Sequence, residues 1–378
     1  MQFVQKYVGL DVSKEKIAVA VAETGRDAAR YVKAIAHEPA AIRKLIKELG
    51  DPSTLAFCYE AGPTGYELYR WIVSMGAVCE VVAPSLLPKR PGDRVKTDRR
   101  DAIQLAQQYR AGELTSIYVP SREDEALRDL VRAREDARED VHRARQRLGK
   151  FLLRHQIHHP SHLKRRWTKV YRKWLATLTF ERKVEQTTFD EYLQALRDAE
   201  QRQQRLEAEM LEQATTGAKA EIIRVVQALR GIARITAMTL VVEIGSFARF
   251  KSPAQLMAYL GLVPREYSSG QSVRRGRMTK TGNKQMRRVL IEAAWSYRHR
   301  PVVKGDLEKR LEGLSGEVQL ISWKAQERLH KKFKRLVSKG KLITVAIGAV
   351  ARELVGFVWA VARTVEQPSG VKPPFRPC

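Results

Sequence analysis

The sequence predicts a mixed α/β N-terminal domain, followed by a helical coiled-coil arm and a mainly α C-terminal domain. Three observations support this. Short apolar runs separated by turn signals open the chain, two long charged amphipathic stretches fill its middle, and apolar helical segments occupy the rest. A length of 378 residues leaves room for two or three such domains, each with its own core.

Taken in order, residues 7–11, 16–22 and 30–36 read as consecutive short strands, with turns at Ser13-Lys14 and Thr24-Gly25. Residues 39–49 then show helical spacing at Ile42, Leu45, Ile46 and Leu49, and stop at Gly50. Residues 55–60 read as a buried strand, 66–75 as a helix ending at Gly76, and 78–82 as another strand. Pro84, Pro88, Pro91 and Gly92 mark a loop before a helix over 99–110. Three meandering strands followed by alternating helices and strands match the ribonuclease H-like (resolvase-like) order, which sets the first-strand acid beside the fourth-strand acid.

Residues 121–151 carry Leu127, Leu130, Ala137, Val141 and Leu148 on one stripe, and residues 189–211 repeat the pattern. Two long amphipathic helices with a basic connector suggest an antiparallel coiled coil able to join protomers. The expected domains are therefore 1–118, an arm over 119–216, a C-terminal domain over 217–366 and a tail over 367–378. The most apolar stretch, 342–362, is interrupted by Arg352 and Glu353 and reads as a buried core helix, not a membrane span.

Charge indicates the partner. Lys and Arg number 69 against 42 Asp and Glu, a net charge of +27 with a pI near 10.2. Such an excess favours a polyanion through phosphate neutralisation and counterion release, although a ribosome-like basic protein without catalysis has the same composition. Cys58, Cys79 and Cys378 form no paired framework, and no signal peptide precedes the first strand, so a cytoplasmic protein beside the nucleoid is expected, with no membrane partner.

Four acids are the candidate chemistry. Asp11 ends the first apolar run and Glu60 a later one, while Asp98 and Asp101 stand three apart at a helix start. If they converge they repel, unless a divalent cation sits among them. Carboxylate oxygens suit Mg²⁺, and two such ions can clamp both sides of a phosphoryl transfer. The structural alternative is that Thr97 or Asp98 caps the helix, Asp101 suits its dipole, and Asp11 and Glu60 are strand ends in solvent.

A second constellation follows residue 261. From Arg265 to Arg300 there are ten Lys/Arg and two acids, net +8 over 36 residues. Ser268, Ser269 and Ser272 lie beside Gly270 within that focus, in what reads as a loop. Arg265, Arg274, Arg275, Arg277, Lys280 and Lys284 are candidate phosphate contacts, and a hydroxyl among them could attack phosphorus. Gripping phosphate without reacting explains the same residues, and nothing intrinsic separates the three serines. Residues 228–233 resemble a helix-hairpin-helix turn in which Gly231 would point backbone N–H groups at phosphate, with Ala233 where a second glycine is usual. An ordinary glycine C-cap is the alternative. His155, His158, His159 and His162 could ligate zinc, but Pro160 and the following Lys164-Arg165-Arg166-Trp167 favour a basic contact or plain loop.

These segments together resemble one family. Gly9-Leu10-Asp11-Val12-Ser13-Lys14, Tyr59-Glu60-Ala61-Gly62-Pro63-Thr64-Gly65 and Lys96-Thr97-Asp98-Arg99-Arg100-Asp101-Ala102 are similar to the three acidic motifs of the insertion-sequence one-ten family. These are DEDD transposases related to the pilin-gene invertase. Gly261 to Asn283, with Pro264, Tyr267, Ser269-Gly270 and Met278-Thr279-Lys280-Thr281-Gly282, resembles the family's second motif. Order and spacing agree from residue 7 to about 300. The resemblance implies a transposase or recombinase with Asp11, Glu60, Asp98 and Asp101 on Mg²⁺ and Ser269 forming a covalent phosphoserine. It further implies a structured guide RNA that pairs with target and donor DNA, and a homo-oligomer, dimer or tetramer, sharing sites between protomers. Two other functions fit the residues: a junction-resolving nuclease using metal-activated water, and a non-catalytic nucleic-acid-binding protein on the same scaffold.

Overall fold

Alternation of bulky and small apolar residues decides the first sheet. In the computed structural model, which describes residues 4–87, 97–270 and 272–366, the strands are β1 (Lys6–Val12), β2 (Lys16–Glu23) and β3 (Arg30–Ala36). After α1 (Pro39–Leu49) come β4 (Leu55–Glu60), α2 (Glu67–Ser74), β5 (Val78–Val82) and α3 (Asp98–Arg110). Pro88, Pro91 and Gly92 of the expected loop, Lys96, Gln271 and the 367–378 tail lie outside the described residues.

The sheet order is β3-β2-β1-β4-β5, with β1, β2 and β3 antiparallel in sequence and β1, β4 and β5 parallel. Side chains alternate between its faces. Val8, Leu10, Val19, Val21, Phe57 and Tyr59 form one face, buried against Ile42, Leu45, Leu68 and Ile72 of α1 and α2. The other face is small: Ala18, Ala20 and Ala22 pack against Ala102 and Ala106 of α3. Gly9 lies between them, paired with Ala20 and Cys58. A Cβ there would stand 2.4 Å from both Ala102 O and Ala106 N, so only glycine lets α3 lie this close. This unit spans Met1–Ser121.

The second unit, Arg122–Cys378, is mostly helical. Its arm consists of α4 (Arg122–Arg154), α5 (Lys169–Leu175) and α6 (Lys183–Thr216). Ion pairs Arg134–Glu207, Arg202–Asp140 and Arg145–Glu200 join α4 and α6 in antiparallel order, and Phe151, Tyr171, Leu175, Phe189 and Leu196 make a small core at the far end. The main core gathers α7 (Ala220–Val226), α8 (Arg234–Ile244), α9 (Pro253–Tyr259), α10 (Lys284–Ala294), α11 (Asp306–Leu311), α12 (Gly316–Ser338) and α13 (Ile343–Glu366). Helix α13 is long and apolar enough to cross a membrane, yet Val350, Leu354, Val358 and Val361 are buried in this core.

One expectation is corrected here. The serine segment is not a loop but a two-stranded hairpin, β6 (Pro264–Ser269) and β7 (Ser272–Met278). Ser269 pairs with Ser272, and Gly270 turns the chain at φ +58°, a left-handed value suited to glycine.

Candidate active site

Sheet register sets two of the acids side by side, and the direction of α3 puts the helix start that carries the other two at the same end of the sheet. Leu10 pairs with Tyr59 in the parallel β1/β4 ladder, so the next residues, Asp11 one short of the end of β1 and Glu60 at the end of β4, stand side by side on adjacent strands. Asp11 shares a face with Gly9, and Glu60 with Cys58, whose Sγ lies 3.7 Å from Leu105 O. Both carboxylates therefore stand on the face that α3 covers. Arg110, at the end of α3, donates to Glu23 O at 3.0 Å and Asp27 O at 2.7 Å, beyond the start of β1. Tyr109 meets Tyr7 edge-on at 5.6 Å. Helix α3 thus runs against β1, and its N-terminus overlies the strand ends that carry Asp11 and Glu60.

Within α3, Ala102, Leu105 and Ala106 are the buried, sheet-facing stripe. Asp98 is four residues before Ala102 and Asp101 four before Leu105, so both acids extend that stripe by one turn. Thr97 caps the helix by accepting from Arg100 N, which leaves the cap role with Thr97 and not Asp98. Asp11, Glu60 and Asp101 are half-buried and Asp98 is exposed. Carboxylate oxygens are the hard donors that a divalent ion takes. The four acidic side chains do not close into a cage: among the described residues, no three His, Cys, Asp or Glu are placed together as metal ligands. The four clustered histidines fall under the same statement.

The hairpin separates the serines that the sequence left equivalent. Ser268 donates its hydroxyl to Glu266 Oε1 at 2.9 Å, two residues back on the same face. Ser269 lies on the opposite face with Tyr267, which is 67% exposed, and the register adds Ser272 and Arg274 to that face. Arg265, Arg274, Arg277, Lys280 and Lys284 are exposed, while Arg275 stands opposite Glu266 in the register. Lys280 is one of three described non-glycine residues with left-handed φ, at +59°. Thr279 N–H to Val263 O (2.9 Å) and Lys280 N–H to Gly261 O (3.1 Å) close the base of the hairpin. Arg287, in contrast, turns inward, donating to Gly282 O at 3.0 Å, and burial lowers its affinity for a proton.

A support that sequence reasoning missed holds the end of this hairpin. Glu243 of α8 is 4% exposed and accepts from Arg132 Nε (2.9 Å) and Nη2 (3.2 Å) on the arm, and from Asn283 Nδ2 (2.9 Å). The Asn283 Oδ1 in turn caps α10 by accepting from Gln285 N at 2.8 Å and Met286 N at 3.2 Å. The only sequence signal was a lone acid in an otherwise apolar helix. Gly231 does sit in a helix–turn–helix, at φ +84°, but one side of it is packed against Ala293 O and Ser296 Oγ.

Comparison with known proteins finds family matches in two stretches of the chain. Residues 8–157 match the model of the DEDD transposase family of IS110 type, and residues 223–306 match the "Transposase IS116/IS110/IS902 family". The chain is 45% identical over 365 residues to a Sinorhizobium fredii protein named as a transposase, y4qE, covering 96% of this chain and 90% of that one. It is 34% identical to the transposase for insertion sequence element IS1533 of Leptospira borgpetersenii, over 89% of this chain and 97% of the relative. The pilin gene-inverting protein of Moraxella bovis is 25% identical over 82% of this chain and 81% of its own length.

Proposed function

The chain belongs to the IS116/IS110/IS902 transposase family, an insertion-sequence enzyme that cleaves and recombines DNA, and we propose how its residues divide that work. The N-terminal unit is a ribonuclease H-like, resolvase-like domain (1–118) in which Asp11, Glu60, Asp98 and Asp101 hold Mg²⁺, two ions to a site. What supports this is that Asp11 and Glu60 lie on neighbouring strands on the face that α3 packs against, while Asp98 and Asp101 stand in the first turn of α3. Divalent ions held there would offset charge developing on the phosphoryl oxygens and clamp both sides of the exchange.

The C-terminal domain (217–366) supplies the nucleophile. Ser269 attacks a DNA phosphorus; its Oγ–P bond forms as the hydroxyl gives up its proton, the scissile P–O bond breaks, and the leaving strand oxygen ends with a proton, so that none is gained or lost overall. What favours Ser269 is its hairpin face, shared with Tyr267 and Arg274 and free of the Glu266 contact that occupies Ser268. Arg265, Arg274, Arg275, Arg277, Lys280 and Lys284 hold phosphates, with Gly231 as a further backbone contact. The arm (119–216) joins protomers as a dimer or tetramer, and a structured guide RNA of the element pairs with target and donor DNA in the cytoplasm. The net charge of +27 supports polyanionic partners of both kinds.

Incubation with DNA bearing element ends and Mg²⁺, followed by denaturation, tests the reading. Wild-type protein should remain covalently attached to DNA, and Ser269→Ala should lose the adduct while keeping DNA affinity. A second nucleophile has its own support, because the 2.9 Å bond to Glu266 is what a base-activated Ser268 hydroxyl needs. Adducts that survive in Ser269→Ala and vanish in Ser268→Ala would transfer the role. Nicked DNA without any adduct would favour a water-using junction nuclease, and absence of metal-dependent nicking a binding protein.

A further inference from the structure

The far end of the arm carries a basic, aromatic-lined cavity that the reaction above does not use. Residues 141–180 contain eleven Lys/Arg, five His and no Asp or Glu. The cavity, about 520 Å³, falls within the ~300–1,000 Å³ of small-ligand sites and is lined by Arg145, Lys150, His159, Arg166, Trp167 and Trp174, among others. The Arg145 guanidinium lies over the Trp167 ring at 5.4 Å, and Tyr171 stands 5.3 Å from Trp167 and 5.1 Å from Trp174. Glu200 on α6 pairs with Arg145 and Arg172, which fixes those two cations. Lys150 and Arg166 are exposed and in no ion pair among the described residues.

Backbone conformation singles out the same place. Gln156 and Trp167 are the other two described non-glycine residues with left-handed φ, at +56° and +67°. A tryptophan is costly there, and such strain persists where surrounding structure or function requires it. Packing of the small arm core accounts for the buried Tyr171, but not for a carboxylate-free rim around half-exposed indoles.

We infer that this cavity binds an unpaired nucleotide of single-stranded nucleic acid, its base against the Trp167–Trp174 wall and its phosphate on Lys150 and Arg166. Duplex bases hide their faces, whereas an unpaired base can stack on an aromatic ring beside a cation. The site rests on the reading of the chain as a nucleic-acid enzyme and adds a contact remote in sequence from both the acids and the serine.

Full-length protein is irradiated with single-stranded oligonucleotides carrying 5-iodouracil, one DNA and one RNA, and cross-links are mapped by mass spectrometry. Cross-links to Trp167, Tyr171 or Trp174 are expected. The double variant Lys150→Glu/Arg166→Glu, which alters exposed side chains only, should weaken binding of the same single strands about tenfold or more, with circular dichroism unchanged. The strand type that loses more identifies DNA or RNA as the occupant. Cross-links confined to other segments, with single-strand affinity within about twofold of wild type, would overturn the inference while leaving Ser269-dependent adducts intact. Failure of every oligonucleotide to bind would instead remove the enzymatic reading beneath it.

Discussion

Gly9→Ala perturbs the acidic edge without touching an acid. The added methyl would stand 2.4 Å from Ala102 O and 2.4 Å from Ala106 N, against the ~3.5 Å or more of ordinary non-bonded contact. Helix α3 must therefore retreat by about 1 Å, because both obstacles are backbone and neither strand nor helix can rotate them away. Overpacking of this size costs about 1–3 kcal/mol, and a displacement of about 1 Å at a reacting centre costs on the order of 10²-fold in rate. Asp98 and Asp101 move with α3; Asp11 and Glu60 stay with the sheet. The expected result is a thermal midpoint lower by a few degrees and a Mg²⁺-dependent cleavage rate lower by about two orders of magnitude, with DNA affinity retained. Trimming Ala102 to glycine in the same variant should rescue neither, since the clash is with its carbonyl. A Gly9→Ala protein with parental midpoint and rate would refute the claim that α3 and β1 jointly set the acid geometry.

Other outcomes follow from the same structure. Asp11→Asn should reduce cleavage by at least about a thousandfold, roughly 4 kcal/mol, and chelation of divalent metal from wild-type protein should do the same while gel-shift binding persists. Glu243→Gln removes a buried carboxylate bound by Arg132 and Asn283, and should destabilise the helical unit by about 1.5–3 kcal/mol in denaturant titration, toward the lower figure because Arg132 is 56% exposed. Burial pushes the thiols of Cys58 and Cys79 up, so both remain protonated in the fold while unfolded thiols ionise near ~8.5. Unfolding then releases protons above that pH, and stability should fall as pH rises through ~8.5 and beyond; in a Cys378→Ser background, native protein should resist thiol reagents that label the denatured chain. For Glu200, burial opposes ionisation, but hydrogen bonds and charge from Arg172 and Arg145 outweigh it and hold the carboxyl below its usual range. Arm stability should accordingly be present at neutral pH and decline as pH falls through that depressed value, less so in Glu200→Gln, as followed by circular dichroism.

Much of the fold was legible because periodicity reports burial. The Val/Ala alternation of residues 17–22 gave a strand, the Ile42, Leu45, Ile46 and Leu49 spacing gave α1, and the two charged stripes gave α4 and α6, each longer in the structure than the apolar stripe alone suggested. The hairpin at 264–278 was not legible: its strands are exposed, so no hydrophobic face betrays them, and its pairing rests on backbone bonds and one glycine turn. The acids could be picked out as strand-end and helix-start residues, yet how closely α3 approaches β1 is set by packing at Gly9, which sequence spacing does not encode. Glu243 escaped because a buried carboxylate needs partners from distant segments, here Arg132 and Asn283, that no local pattern links.

Pairing of Leu10 with Tyr59 has a consequence for how such an enzyme can change over time. Oily side chains on the side of β1 and β4 that meets α1 and α2 act as an alignment gauge for the charged ends on the side that meets α3. A slip of one residue in either strand would bury a carboxylate among valines and drive a bulky apolar side chain into the alanine-lined contact with α3, so folding itself rejects the misaligned register. Substitutions elsewhere in the polypeptide are therefore free to accumulate, while the side-by-side placement of Asp11 and Glu60 is inherited together with the core.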